Sequence, residues 1–291
     1  MSQAAALVEE LCTRGIAQVP PLYGEDALSS LRSVLDPLFE RAADSPRSYI
    51  EADELMELGL LDTIFNDRMT ELIRCLLPDP QIYHCKIYET AANQKRPHIN
   101  ASLLDGWHRD EDTIASYSSG TIGHLSVFVY LSDVQHGSGA FEILPQPPSF
   151  GHLMGEPSIE VHGSQGTSFI WNRSFFHRAS PNSGPIRRRI LKISIQSVGS
   201  PNNLIDSAEF RTVRSKLRAG TFLGDLFGTA PLNIQGLTSA RTLVSTAQAN
   251  LDFRPLIANS SVCITRRDLA VGRYLEARDC LIRKLKGTAV R

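Results

Sequence analysis

The sequence lacks the features that mark several large classes of protein. Its 291 residues carry a formal net charge of -1, so it has no excess of basic residues to neutralise nucleic-acid phosphates. No apolar run approaches the roughly 18 residues that span a bilayer. The N-terminal stretch contains Glu9 and Glu10, where a signal peptide would be continuously apolar. We therefore expect a cytoplasmic protein with neither a nucleic-acid nor a membrane partner.

Several chemical motifs are also missing. The five cysteines are scattered without a CxxC pair, which argues against a disulfide framework or a zinc knuckle and favours reduced thiols. No GxSxG, P-loop or GxGxxG pattern occurs. The sequence thus gives no support for a serine hydrolase of that type, a P-loop nucleotide-binding enzyme or a dinucleotide-binding enzyme.

The order of hydrophobic patterns predicts helices first and strands afterwards. Helical spacing of apolar residues covers 3–13, 26–43 and 53–77, and strand-like alternation runs from about 82 to 198. This order is typical of an α+β, mainly β protein with an antiparallel sandwich as its core. We predict a single domain over 1–291. It comprises helical support (1–80), a β core (81–200) and a C-terminal extension (201–291) that is loop-rich over 202–262 and helical over 267–287.

The segment HLSVFVYLSD is the clearest strand. Alternation gives it one apolar face and one mixed polar and aromatic face. The mixed face, suited to lining a wet pocket, comprises His124, Ser126, Phe128 and Tyr130.

The stretch GWHRDED raises the question of a metal site. His108 and Asp110 are two positions apart, which puts them on one face of a strand. A ferrous facial triad needs two imidazoles and one carboxylate, with open positions opposite. His177 follows at the end of a strand-like run, and Arg188 follows on the next predicted strand, where an SPNSGP turn would form a hairpin and bring the two together. A guanidinium there can bind a carboxylate with two hydrogen bonds.

Other assignments stay open at this level. Taken alone, His108 and Asp110 fit a surface loop equally well. His124 and His136 are rival ligands, whereas His84, His98, His152 and His162 are predicted to lack carboxylate neighbours at a useful spacing. If Arg188 points into the barrel, Arg187 and Arg189 point out. Packing roles are predicted for Trp107, Phe128, Tyr130 and Phe176, and a turn-supporting role for Asn182.

The segments WHRD, GSGAFEILP and GTSFIWNRSFFHRASPNSGPIRR, in this order, resemble the phytanoyl-CoA dioxygenase-like branch of the iron(II)/2-oxoglutarate oxygenases. The likeness covers about residues 5–200 and implies a double-stranded β-helix (a cupin-like jelly roll) with flanking N- and C-terminal helices. It implies Fe(II) held by the catalytic residues His108, Asp110 and His177. It further implies 2-oxoglutarate bound by Arg188 and O2 as oxidant, with Lys86, Tyr88 and Lys95 as candidates for further co-substrate contacts.

The resemblance implies oxidation of an aliphatic C–H group of a small molecule, with release of succinate and CO2. Because Asp110 retains the carboxylate that related halogenases replace, hydroxylation or a related oxidation is favoured over halogenation. A secondary metabolite or a modified amino acid is the expected substrate class. Two alternatives remain: a non-catalytic cupin-like binding protein and a metal-dependent hydrolase. Residues 201–291 either cap the barrel or build a homodimer interface, and the sequence does not choose.

Overall fold

The computed structural model describes residues 3–77, 79–95, 107–108, 122, 124–145, 157–197 and 210–229. The helices are α1 (Gln3–Thr13), α2 (Glu25–Arg41), α3 (Ala52–Glu57), α4 (Leu61–Ile64), α5 (Asp67–Leu76), α6 (Arg211–Lys216) and α7 (Phe222–Leu226). The strands are β1 (Ile16–Val19), β2 (Arg47–Glu51), β3 (Pro80–Thr90), β4 (His124–Tyr130), β5 (Phe141–Ile143), β6 (Ile159–Val161), β7 (Ser168–Asn172), β8 (His177–Ala179) and β9 (Arg188–Ser197). Within these residues, no helix is both long and apolar enough to cross a membrane.

Two antiparallel sheets form the β core. The larger has the strand order β1-β7-β4-β9-β3-β2, and the smaller has the order β6-β5-β8. Aromatic side chains from both sheets, among them Phe128 and Trp171 from the larger and Phe141 from the smaller, share one buried cluster. The sheets therefore face each other across an aromatic interior. This confirms the predicted mainly β class, and the jelly roll is the arrangement that these sheets fit.

Alternation along the larger sheet gives it two different faces. Leu125, Val127 and Ile193 lie in a second apolar cluster with the helices α2, α3 and α5. Their neighbours along the strands point to the other side, into the space between the sheets. We call this second side the inner face. It carries Arg188 and faces the smaller sheet, to which His177 belongs, while the helices cover the outer face.

The long helical stretch predicted over 53–77 is broken into three short helices. Gly59 has φ +72°, a left-handed conformation that ends the segment containing α3. The side chain of Asn66 then accepts a hydrogen bond from the Met69 amide at 3.0 Å and caps α5. The apolar periodicity alone does not reveal these two breaks.

Three features differ from the expectations. β2 lies where the sequence predicts no strand, and α6 and α7 are short helices inside the stretch predicted to be loop-rich. The predicted hairpin does not form either, because β8 pairs with β5 in the smaller sheet while β9 pairs with β3 and β4 in the larger one. The SPNSGP segment therefore crosses between sheets. The helix predicted over 267–287 lies outside the described residues, and the domain plan stays a prediction.

Candidate metal and co-substrate site

Two of the three predicted metal ligands, His108 and His177, lie side by side. Each backbone N–H donates to the carbonyl oxygen of the other residue at 3.0 Å, which makes an isolated antiparallel bridge. Directly opposed residues project their side chains to the same side. The two imidazole centroids are accordingly 4.4 Å apart, and His177 is buried. Metal–nitrogen bonds of about 2 Å allow both rings at this spacing to reach one ion.

The His177 ring has a defined orientation. Its Nδ1 lies 3.1 Å from the Phe175 carbonyl oxygen, which can only accept a hydrogen bond, so the proton belongs on Nδ1. The lone pair is then on Nε2, the atom that can bind a metal. Metal-binding histidines commonly use their second nitrogen in this way. Trp171, with its ring centroid at 4.2 Å, packs against the imidazole and restrains its tilt.

The third predicted ligand, Asp110, lies outside the described residues. Its role as the carboxylate of the triad stays a prediction. Trp107, immediately before His108, is buried against Leu144 and Phe176, as the expected packing role requires. The Arg178 guanidinium lies 4.8 Å from the centroid of the Trp107 ring.

Arg188 is an arginine enclosed by the protein, with 2% of its surface exposed. Its Nη1 donates to the carbonyl oxygen of Gly139, and its Nε has no hydrogen-bond partner among the described residues. No described carboxylate forms an ion pair with it. A buried guanidinium is costly without an anion. The arrangement therefore fits a carboxylate supplied by a bound molecule.

The neighbouring arginines behave differently. Arg187 and Arg189 both bind the carboxylate of Glu89, and Arg189 also reaches Asp36 on α2. Strand alternation explains the contrast, because residues 187 and 189 point to the outer face and residue 188 to the inner face. The register of this three-arginine run is thus fixed by the outer ion pairs.

The turn at Gly139 fixes the position of the Gly139 carbonyl, which accepts the hydrogen bond from Arg188. The φ of Gly139 is +76°, and a Cβ there would lie 3.1 Å from the Asn182 Cβ, so the turn requires glycine. Asn182 supports this region as expected, because its side chain donates to the carbonyls of Ala91 and Ile186 at 3.0 and 2.8 Å.

The hydrogen bonds and burial of Tyr130 describe the environment of the interior near Arg188. The Tyr130 hydroxyl donates to the Val161 carbonyl at 2.8 Å and accepts from the Phe141 amide at 3.1 Å, joining the two sheets. Burial raises the pKa of Tyr130 well above its usual value, and the positive charge of Arg188 acts in the opposite direction. A charge in such surroundings is weakly screened, which strengthens an ion pair made there.

The other co-substrate candidates differ in placement. Tyr88 is buried in the aromatic interior and lies opposite Ile190 in the register, two positions from Arg188. Lys86 instead forms an ion pair with Glu51 at 3.4 Å and lies 5.1 Å from the Tyr49 ring centroid, beside the edge strand β2. Lys95 is exposed. Their contacts with a co-substrate stay predictions.

The inner face carries a strip of polar side chains on two neighbouring strands. The sequence predicts the part on β4. The structure adds a part on β9, where Lys192, Ser194 and Gln196 share the face of Arg188. Ser126 and Ser194 are hydrogen-bonded at 2.8 Å, and both are fully buried. The alternation in RRRILKISIQ carries this signal.

The rival histidines lie elsewhere. His124 is fully buried on the inner face, 5.7 Å between ring centroids from Tyr83. His162 does have a carboxylate neighbour, contrary to expectation, because its Nε2 lies 2.8 Å from a Glu160 carboxylate oxygen. His136 adjoins that pair. His98 and His152 lie outside the described residues.

Comparison with solved structures shows the same fold in three other proteins. AviO1 from Streptomyces viridochromogenes Tue57 is 16% identical, with a TM-score of 0.55, over 69% of this chain and 98% of that chain. EctD from S. alaskensis, solved with 2-oxoglutarate and 5-hydroxyectoine, is 14% identical, with a TM-score of 0.54, over 69% and 77%. The α-ketoglutarate-dependent epimerase SnoN from nogalamycin biosynthesis is 14% identical, with a TM-score of 0.52, over 67% and 83%.

No curated protein sequence matches the chain. The model of the phytanoyl-CoA dioxygenase family does match, over residues 12–190, which is more than half of the chain. The matched span contains His108, Asp110, His177 and Arg188. This confirms the resemblance drawn from the motifs: the chain belongs to the phytanoyl-CoA dioxygenase family.

Proposed function

We propose that the chain is an Fe(II)- and 2-oxoglutarate-dependent oxygenase that hydroxylates an aliphatic C–H group of a small molecule. The observation that carries the proposal is the buried guanidinium of Arg188, which has no carboxylate partner among the described residues. The adjacent Arg187 and Arg189 both form ion pairs with Glu89 on the outer face. Of these three arginines, the one on the inner face is therefore the one without a carboxylate partner among the described residues. A dicarboxylate co-substrate would supply the missing anion.

The histidine pair fits a ferrous ion. His108 and His177 present two imidazoles at one place, and the Phe175 carbonyl directs the metal-binding lone pair of His177 to Nε2. Asp110 would complete the facial set of two histidines and one carboxylate. Iron bound there would activate O2 and couple the oxidative decarboxylation of 2-oxoglutarate to substrate oxidation.

The remaining residues set the conditions for that chemistry. Arg188 binds and orients the distal carboxylate of 2-oxoglutarate, with its own position fixed by the Gly139 carbonyl. The aromatic residues Phe128, Tyr130 and Trp171 exclude water from this part of the interior. Among the proteins of the same fold, SnoN is α-ketoglutarate-dependent and EctD was solved with bound 2-oxoglutarate, which agrees with the proposal.

The proposal for the substrate class rests on the proteins that share the fold. SnoN acts in nogalamycin biosynthesis, and EctD was solved with 5-hydroxyectoine, a small hydroxylated compound. We propose a secondary metabolite or a modified amino acid of similar size for this chain.

The test is an anaerobic titration of the apo-protein with Fe(II) and then 2-oxoglutarate, followed by visible absorption. We expect a metal-to-ligand charge-transfer band that His177→Ala abolishes and Arg188→Ala weakens. Arg187→Ala is the matched control, because it removes a guanidinium from the outer face beside the same strand. A wild-type protein that binds iron but gives no band on adding 2-oxoglutarate would contradict the proposal and favour the metal-dependent hydrolase.

A non-catalytic binding protein makes a different prediction in the same experiment. It would neither form the band nor release succinate when oxygen is admitted. Succinate release that depends on Fe(II), on His177 and on Arg188 separates the oxygenase from both alternatives.

A further inference from the structure

Three side chains of the types that can bind metals meet on the surface, away from the candidate oxygenase site. Their ligand atoms, one each from His136, Glu160 and His162, all lie within 4.8 Å of one another. His162 Nε2 is 2.8 Å and His136 Nδ1 is 4.0 Å from the same Glu160 carboxylate oxygen. We call these three residues the surface histidine cluster.

The cluster lies on the opposite side of the smaller sheet from His177. Phe141 and Val161 are paired in the register and point into the aromatic interior, and the His177 ring stacks on Phe141 with a centroid distance of 5.7 Å. Glu160 precedes Val161 and therefore points to the other side. The two groups of histidines cannot share one ion.

The backbone around the cluster is held by hydrogen bonds of its own. Val134 and Gly163 exchange two backbone hydrogen bonds of 2.9 and 3.0 Å. His136 follows the first of these residues by two positions, and His162 precedes the second by one. Glu160 and His162 are also two positions apart along extended chain, so they share a side. The Val134–Gly163 pairing therefore brings the segment of His136 next to that of Glu160 and His162, and the turn that begins at His136 leaves its ring on the exposed side.

The donor set selects the type of ion. Two imidazoles and one carboxylate suit Zn(II), Cu(II), Ni(II) and Co(II) better than Mg(II) or Ca(II), which prefer oxygen ligands. The ligand atoms need only a small rotation to converge on one ion, and the His136 side chain has room to make it because it is 93% exposed. Solvent would complete the coordination.

From this geometry we propose that the surface histidine cluster is a second divalent-cation site, selective for borderline transition metals. It needs no 2-oxoglutarate and is independent of the proposed oxygenase activity. A metal count on this protein would then exceed the one ion that the candidate oxygenase site accounts for.

The probe is Zn(II), measured by isothermal titration calorimetry on the full chain carrying His177→Ala, so that the other candidate site does not contribute. We expect one Zn(II) per chain, with an affinity at least tenfold weaker in His136→Ala and in His162→Ala. Glu160→Gln is the shape-matched variant, and it should also weaken binding because the amide is a poorer ligand than the carboxylate. Zn(II) should raise the Tm of the parent by more than that of the two histidine variants at the same Zn(II) concentration.

Unchanged Zn(II) affinity in both histidine variants would overturn the proposal, since the ion would then be bound elsewhere. Absence of Zn(II) binding to the parent would also overturn it, leaving His162 and Glu160 as an ordinary surface pair. Neither result bears on the charge-transfer band, which depends on His177 and Arg188. Failure here and failure of the oxygenase assignment are therefore distinguishable.

Discussion

His108 and His177 are joined by two reciprocal backbone hydrogen bonds, each of 3.0 Å, and their rings lie 4.4 Å apart between centroids. The bridge uses backbone atoms alone. We therefore expect that removing either imidazole leaves the bridge in place, so that the proposed metal site can be tested without unfolding its support.

We predict that His108→Ala and His177→Ala each abolish stoichiometric Fe(II) binding while the protein stays folded. Equilibrium dialysis with Fe(II) under argon measures the first property, and circular dichroism with a thermal melt measures the second. Loss of one ligand of three should lower the affinity by two orders of magnitude or more, since changing even a supporting residue costs about 10–100-fold. Full iron binding by either variant would exclude that residue from the ligand set.

The sequence motifs single out His108, His177 and Arg188 because their order and spacing resemble those of the family, and the structure places His108 beside His177. Their roles stay predictions. The sheet to which each strand belongs could not be predicted. Local turn residues between Ala179 and Arg188 are compatible with a hairpin and with a crossover alike. Only the long-range pairing of β8 with β5 decides between them.

The surface histidine cluster could not be predicted from the sequence for the same reason. His136 and His162 are far apart in the sequence, and they meet because Val134 pairs with Gly163. By contrast, the inward position of Arg188 follows from alternation once one arginine is assigned to a face. Local periodicity therefore predicts the direction of a side chain, whereas tertiary pairing determines which side chains meet.

Gly139→Ala should weaken co-substrate binding as well as stability. The substitution places a side chain at φ +76° and 3.1 Å from the Asn182 Cβ, so the turn must shift and move the carbonyl that receives Arg188. We expect a loss of about 1–2 kcal/mol of folding stability from the backbone strain. The apparent Kd for 2-oxoglutarate in the anaerobic titration should also rise.

Gly137→Ala is the matched control for that experiment. Gly137 has a similar φ of +78°, but its Cβ would meet only the Ser183 hydroxyl, at 3.2 Å, and its carbonyl accepts a hydrogen bond from Ser183 instead of Arg188. It should lose stability and keep its affinity for 2-oxoglutarate. Equal loss of affinity in both variants would show that the Gly139 carbonyl has no particular role.

Glu142→Gln should destabilise the smaller sheet. The Glu142 carboxylate is buried and accepts hydrogen bonds from Arg178 at 3.0 Å, from Ser158 at 3.2 Å and from Ser180. Breaking a buried ion pair costs about 3–5 kcal/mol, and the isosteric amide should lose a large part of that. Urea unfolding measures the change. Glu160→Gln, opposite Glu142 in the register but partly exposed, should change stability by less than about 1 kcal/mol.

Tyr130→Phe should cost about 1–3 kcal/mol at neutral pH, because the Phe141 amide and the Val161 carbonyl would lose their shared partner in a buried place. Urea unfolding again measures the loss. Tyr49→Phe is the control, because Tyr49 is 43% exposed and does not join the two sheets. An equally small effect in both variants would mean that the bridge between the sheets adds nothing to stability.

The same tyrosine predicts how stability changes in alkali. Because burial raises the pKa of Tyr130 above the ordinary tyrosine value of 10.0, the folded protein keeps a proton that the unfolded chain releases. The unfolded state then binds fewer protons, so the contribution of Tyr130 to the free energy of unfolding falls as the pH rises above about 10, and this contribution is unchanged below. Burial also raises the pKa values of Tyr23 and Cys85; Tyr23 adds to the same slope, and Cys85 adds a decline that starts from its lower ordinary value of 9.0. Urea unfolding at stepped alkaline pH should therefore show a decline that is shallower in Tyr130→Phe than in the wild type. An identical slope in the two proteins would show that Tyr130 ionises in the folded state as readily as in the unfolded chain.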